Sequence, residues 1–421
     1  MPVALSSPRG IRAVGTTDFL ALERGSDSVV YVFDTDDDDI PESRQTIATA
    51  PSLNHGLAIY DGYIYASSDR NVFRWAYESL TNSTFLGDPE FVINNINPDG
   101  MGGAPRGHET RTLEFDDMGR LYVSIGSVGN VDRDSHRARI RRFPILDENF
   151  PLDFQAGEVF ADGLRNEVGL AFDVHGDLWG VENGADRLFR SDMGGDIHED
   201  NPAEELNRFR EEDAGKHWGY PYCWTEYNLP SDVGGGRDTA WAWPSFLEDG
   251  TVTDEQCRTA YVAPVLSMQG HSAPLGTVFY EWKPPDELPD ECSNDPFPET
   301  FDRYAFIAFH GSWNRDEPTG YKVVYVPFDE NGEPTDCAID LLAHRPPNAK
   351  WGNNLRPVDV DFDDCGRLLV SSDGSGSRMV RIQYVAANDQ EDGADDEGSC
   401  PCQPTNSPVD IPGGSPPAKP M

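Results

Sequence analysis

One local pattern recurs along this chain: a few polar or glycine residues, an alternating apolar run, a turn of Asp/Gly type, and a second alternating run. Gly10 leads into a run that ends in FLALERGS, Gly56 opens LAIYDGYIYASS, and Thr112 opens LEFDDMGRLYVSIGS. Gly169 opens LAFDVHGDLWGVENG, Gly276 opens TVFYEWKP (completed by RYAFIAFHG), and Val358 opens DVDFDDCGRLLVSSDGSG. Period-two alternation on both sides of a turn is a β-hairpin signature. Short apolar runs at 29–34, 72–76, 323–327 and 379–384 read as outer strands. A hairpin with one or two outer strands cannot bury both its faces alone, so repeats of this kind must stack. The expectation is an all-β chain, a six-bladed β-propeller over residues 1–387. Two insertions interrupt it, an acidic, Trp- and Tyr-rich one at 192–260 and one at 283–302 that splits the fifth hairpin. Residues 388–421 are acidic and then Pro/Ser/Gly-rich, with too little apolar content to fold, and read as a disordered linker.

Charge narrows the partners. Lys and Arg number 33 against 74 Asp and Glu, a formal net charge of −41, which repels a nucleic-acid backbone and mildly favours a monomer. Any cluster of Arg and His is then a local exception. No apolar run is long enough to cross a membrane. The seven cysteines form no CxxC and no zinc pattern, so disulfides are expected, with Cys223–Cys257 and Cys292–Cys337 as natural local pairs and one cysteine left over. Disulfides and the Asn82-Ser83-Thr84 glycosylation acceptor suit a secreted, extracellular domain. The acidic 34–43 segment lacks the glycine and final glutamate of an EF-hand loop and reads as solvated.

In a propeller the first strand of each hairpin is innermost, so the residues entering it stand at one mouth of the central channel. Those entries contain Arg9, His55, His108 with Arg111, Arg165 with Asn166, His271, and Arg356. Singly, each suits an ordinary hydrogen-bonded role, and pairing with carboxylates across blades is the alternative reading. Six equivalent places in a chain with 9 His point instead to a cationic ring for a multiply anionic ligand. The Glu182–Asp186 turn after the fourth hairpin offers oxygens that suit a hard cation.

The segments GHETRTLEFDDMGRLYVSIGS, LRNEVGLAFDVHGDLWGVENG, HWGYPYC, GHSAPLGTVFYEW, AFHGSWNRDEPTGYKVVYVPF and RPVDVDFDDCGRLLVSSD occur in that order. With them the chain resembles the pyrroloquinoline quinone (PQQ) dependent sugar dehydrogenases, most closely the fungal pyranose dehydrogenases. The resemblance implies PQQ and Ca2+ as cofactors and oxidation of a sugar C1 hydroxyl. It implies that His108 removes the hydroxyl proton while hydride passes to the quinone, with Arg165 stabilising developing oxygen charge and Asn166 assisting. Gly184 and Ala185 would offer main-chain carbonyls to calcium, and Arg356, Arg315 and Trp313 would hold the cofactor. Electrons would then pass to an external acceptor, such as a tethered or separate cytochrome. Two departures stand out: Gly107 and Ser127 occupy places where the bacterial glucose enzymes carry Asp, so the orientation of His108 is expected to come from another group. Val358 stands where the family has a second Arg. Competing readings are a calcium-dependent lactonase or esterase on the same fold, which wants carboxylates and Asn around a metal, and a non-catalytic extracellular binding propeller. In the first insertion, Trp218, Tyr220, Tyr222, Trp224, Trp241 and Trp243 either wall a sugar site or pack the insertion's own core.

Overall fold

Each of the six hairpins forms where its alternation places it. A computed structural model describes residues 3–36, 38–77, 85–99, 107–133, 136–146, 148–292, 296–344, 349–351 and 354–385. The innermost strands are Pro8–Ala13, Leu53–Tyr60, Leu113–Phe115, Glu167–Phe172, Pro274–Phe279 and Pro357–Phe362. Each pairs antiparallel with the next strand in sequence, and the six sheets follow one another as the blades of a propeller. Blades one, four and five have four strands, and blade six has three among the described residues. Blades two and three gain a short parallel fifth strand from the segment that follows, Leu152–Asp153 and Lys216–His217 respectively. Each lent strand covers an outer edge that would otherwise expose unpaired backbone.

Alternation gives every blade two apolar faces, and an apolar cluster fills each seam. Leu22, Ile47, Leu57 and Phe73 join blades one and two, while Ile11, Val30 and Leu369 join blades six and one. Near the channel the blades approach more closely than side chains permit. A Cβ on Gly10 would lie 2.3 Å from the His55 carbonyl oxygen, and one on Gly56 would lie 2.2 Å from that of Arg111. The same happens at Gly169 against Leu275 O (2.5 Å), so the glycines opening these hairpins are there for backbone contact between neighbouring inner strands. Side-chain bonds close the ring: Ile11 N and Ala13 N donate to Asp359 and Asp361 at 2.9 and 2.8 Å, and Ser371 Oγ donates to Arg9 O at 2.7 Å.

The expected insertion at 192–260 is corrected in part, because Glu204–Phe209 is the third strand of blade four and Lys216–His217 the strand lent to blade three. The residues around them form two small hairpins and two short helices, Pro244–Glu248 and Asp254–Ala260, the second begun by a Thr253/Gln256 capping box. Their core holds Trp224, Trp243, Phe246 and Cys257, pinned by the expected Cys223–Cys257 disulfide. The second expected pair is corrected: Cys292 bonds to Cys365, 73 residues on, and Cys337 is disulfide-bonded elsewhere. The split in the fifth hairpin folds over the sixth blade's turn, where Phe297 N donates to Gly366 O at 3.0 Å, and this brings Cys292 to Cys365. The Asn82-Ser83-Thr84 acceptor, Cys400, Cys402 and the 388–421 segment lie outside the described residues. No described helix is long and apolar enough to cross a membrane.

Candidate functional site

The mouth formed by the inner-strand entries holds a cavity of about 600 Å³. Of the residues expected from the sequence, Arg9, His108, Arg165, Asn166, Gly184, His271, Trp313 and Arg356 line it. His55, Arg111, Ala185 and Arg315 do not. His55 is buried behind the wall. Arg111, fully buried, donates to the carbonyls of Asp69, His108 and Thr110 at 3.2, 2.8 and 2.7 Å, so it holds the backbone beneath His108. Ala185 turns into the insertion core, and Arg315 pins its own loop to Asp200 at 3.1 Å and to Gly270 O at 3.3 Å. None of the six insertion aromatics lines this cavity, and Trp218, Tyr220, Trp224 and Trp243 are buried.

His108 is seated by backbone. Gly107, at φ 79°, lets the chain turn so that His108 N donates to Ser127 O at 3.0 Å. Gly126 leaves room for the side chains of His108 and Asn166, since a Cβ there would lie 2.6 Å from His108 Cβ and 2.5 Å from Asn166 Oδ1. The ring's Nδ1 is 3.1 Å from Ser127 Oγ. Burial and then the positive charge of Arg165 pull the imidazole down to about 3, with the Ser127 backbone opposing. It is a neutral base at neutral pH.

Arg165 reaches Asp186 Oδ2 at 2.8 Å and the carbonyls of Gly184 and Asn183 at 2.6 and 3.1 Å. His271 Nε2 faces the His198 carbonyl at 2.6 Å, which fixes the proton on Nε2, and its Nδ1 is 3.3 Å from Asn314 Nδ2. Arg356 donates to the His310 and Gly311 carbonyls, both at 3.1 Å, and has no carboxylate partner among the described residues.

Four groups at or beside this cavity were not singled out from the sequence. Glu204 accepts from Gly184 N (2.6 Å) and Ala273 N (3.0 Å), and burial pushes its carboxyl up to about 8. His310 bonds Asp373 Oδ1 through Nε2 at 2.7 Å, while Arg9 holds the other Asp373 oxygen at 2.7 Å. Against burial, His310 and Arg9 keep the Asp373 carboxyl well below the ordinary range. Asn314 bridges Asp186 and His271. Ser127, His310 and Asp373 share one signal, since each stands where a second strand leaves its hairpin at this same mouth, as Gly184 does.

Deeper in the channel the signs reverse. Arg12 is surrounded by Glu114 (3.6 Å), Asp359 (3.5 Å) and Asp361. Burial raises Glu114 to about 7 and Asp361 to about 6. At the surface, oxygens of Asp34, Asp36, Asp38 and Glu42 lie within 4.8 Å of one another.

The mouth suits a multiply anionic ligand: among the described residues, Arg9 and Arg165 each keep a buried Nε–H with no hydrogen-bond partner, and Arg356 has no carboxylate partner.

Comparison with known proteins agrees with this geometry. The TrAA12-like family matches residues 2–382. A pyrroloquinoline quinone-dependent sugar dehydrogenase of Hypocrea jecorina is 32% identical over 375 residues, 83% of this chain and 78% of that protein. A pyrroloquinoline quinone-dependent pyranose dehydrogenase of Coprinopsis cinerea is 31% identical over 412 residues, 89% of this chain but 52% of that protein, so the chain spans about half its length. The holo PQQ domain of the Coprinopsis pyranose dehydrogenase superposes with a TM-score of 0.76 at 28% identity, covering 90% of this chain and 94% of that one. With the whole propeller matched, the chain belongs to the TrAA12-like family, alongside the PQQ-dependent sugar and pyranose dehydrogenases.

Proposed function

We propose that this chain oxidises the C1 hydroxyl of a pyranose or keto-aldose sugar with PQQ and calcium, outside the cell, and hands the electrons to a separate acceptor. The observation that supports it best is the pairing, in one cavity, of a neutral His108 with cationic groups fit to hold an anionic quinone. PQQ supplies the two-electron hydride acceptor when bound. His108 takes the hydroxyl proton; Arg165 and Asn166 beside it stabilise and orient developing oxygen charge. Arg9 and Arg356 would hold the carboxylates of the quinone, and Trp313, exposed at the rim, would offer a face to a ring.

Calcium is proposed at the turn of Gly184 and Ala185. The Gly184 carbonyl and the Asp186 carboxylate are hard oxygen donors at the cavity, which suits the ion. Arg165 holds both groups, so ion and guanidinium compete for them.

Titration of the apoprotein with PQQ and calcium, followed by dye reduction with a panel of reducing sugars, tests the reading. Stoichiometric quinone binding and dye reduction lost in His108→Ala are expected. No binding by folded protein in calcium would sink the proposal, and hydrolysis of lactones would then favour the lactonase reading.

A further inference from the structure

A base at this site needs a free nitrogen aimed at the substrate, so the neighbour that fixes its other nitrogen matters. Ser127 has its side chain on the ring: His108 Nδ1 and Ser127 Oγ are 3.1 Å apart. A serine hydroxyl carries one hydrogen, and here that hydrogen is engaged, because Ser127 Oγ donates to Gly129 O at 2.7 Å. Toward the ring the oxygen is therefore an acceptor, and the ring must supply the proton. We propose that Ser127 is the positioning residue of this site: it accepts the Nδ1–H of His108 and so leaves Nε2 as the bare, basic nitrogen. The inference rests on the reading of His108 as the base.

The surrounding loop keeps the hydroxyl committed. Val128 N donates to Asp132 Oδ2 at 2.9 Å, Arg137 Nε donates to the same oxygen at 2.9 Å, and Asp132 N donates to the Tyr220 hydroxyl at 2.7 Å. Tyr220 Oη also leans on Gly129 O, at 3.4 Å, a longer contact than Ser127 makes. Residues 127–132 are thus tied down at several points, and Ser127 Oγ has no freedom to turn its hydrogen toward His108 without leaving Gly129 O short of its closest donor. On the other side of the ring, Nε2 has no hydrogen-bond partner among the described residues, and His108 lines the cavity.

A hydroxyl orients differently from a carboxylate. It sets the tautomer but brings no negative charge to stabilise the imidazolium once the proton has arrived. The charges that act on His108 are Arg165 and Arg111, which disfavour the imidazolium, and Asp132, which favours it. Holding the tautomer is then the larger part of what the neighbour contributes.

The test is made first on the apoprotein. In histidine-labelled protein, long-range proton–nitrogen correlation spectra give the tautomer of His108, assigned by the resonance lost in His108→Gln. Nδ1 protonated and Nε2 bare in the native protein, with a measurable fraction of Nε2–H appearing in Ser127→Ala, where only the backbone of residue 127 still favours the native form, and the native pattern restored in Ser127→Thr, is the expected result. With PQQ, calcium and sugar, kcat should fall about fivefold to tenfold in Ser127→Ala, the factor one hydrogen bond supplies, at little changed KM, and recover in Ser127→Thr. Native His108 protonated on Nε2, or a tautomer unmoved by Ser127→Ala, would overturn the proposal. The expected tautomers in a protein that oxidises no sugar would instead count against the dehydrogenase reading, leaving the Ser127–His108 contact standing.

Discussion

Two ends of one channel, built from the same six inner strands, have opposite electrostatics. At the mouth, Arg9, Arg165 and Arg356 converge with His108, His271 and His310; deeper down, one cation, Arg12, stands among Glu114, Asp359 and Asp361. A single strand, Pro8–Ala13, sends Arg9 to one end and Arg12 to the other. Partners make the difference. The deep carboxylates are answered by Arg12 and by the backbone N–H groups of Ile11 and Ala13, and they serve to close the ring between blades six and one. At the mouth, among the described residues, Arg356 has carbonyl partners but no carboxylate, and the Nε groups of Arg9 and Arg165 have no partner. A cluster whose charges are met internally holds the fold, whereas one with donors to spare is suited to a ligand.

Substitution at the two ends should separate these roles. The largest effect on stability belongs at the deep end: Arg12→Met leaves buried Asp359 and half-buried Glu114 and Asp361 without their cation and should cost about 2–3 kcal/mol in denaturant unfolding. PQQ affinity of the folded fraction should stay within about threefold, since no mouth contact changes. Next comes Arg356→Met, which should weaken PQQ binding by roughly tenfold to a hundredfold, as one charged hydrogen-bond partner is lost, with stability nearly unchanged. If Arg356→Met instead unfolds the protein and Arg12→Met releases the cofactor, the contrast fails.

The smallest effect is a pair of opposed pH slopes. Glu114 and Asp361 have folded values of about 7 and 6, above their ordinary 4.5 and 3.8, so the folded state binds more protons and their contribution is lost as pH rises from about 4 to about 7. His108, held at about 3 against an ordinary 6.5, works the other way: its contribution is full above about 6.5 and is lost as pH falls toward 3. Unfolding free energies measured against pH should therefore show a flatter decline toward neutral pH in Glu114→Gln and a flatter decline toward acid in His108→Gln. Identical slopes in all three proteins would show that these groups are not perturbed by folding.

Much of this molecule was legible in its sequence, and the reason is periodicity. Hairpin alternation repeats at short range, so six blades, their order and the glycines at Gly10, Gly56 and Gly169 could be read from local pattern alone. The entry positions carried Arg9, His108, Arg165, His271 and Arg356 to the mouth for the same reason: they precede an inner strand and inherit its place. What local pattern leaves open is direction and distance. Arg111 and Arg315 have the chemistry for a ligand, yet their guanidiniums meet backbone carbonyls, and side-chain direction decides between the two. Cys292 meets Cys365 across a blade seam, not its nearer neighbour Cys337. The exits of the second strands gave His310 and Asp373 to the site without any compositional mark. By itself the sequence determined the blades and the residues offered at the channel mouth, because both follow from short-range alternation. Tertiary structure alone decided which charges are answered and which tautomer His108 is asked to hold, because hydrogen bonds such as Arg9 to Asp373 link residues 364 apart in the chain.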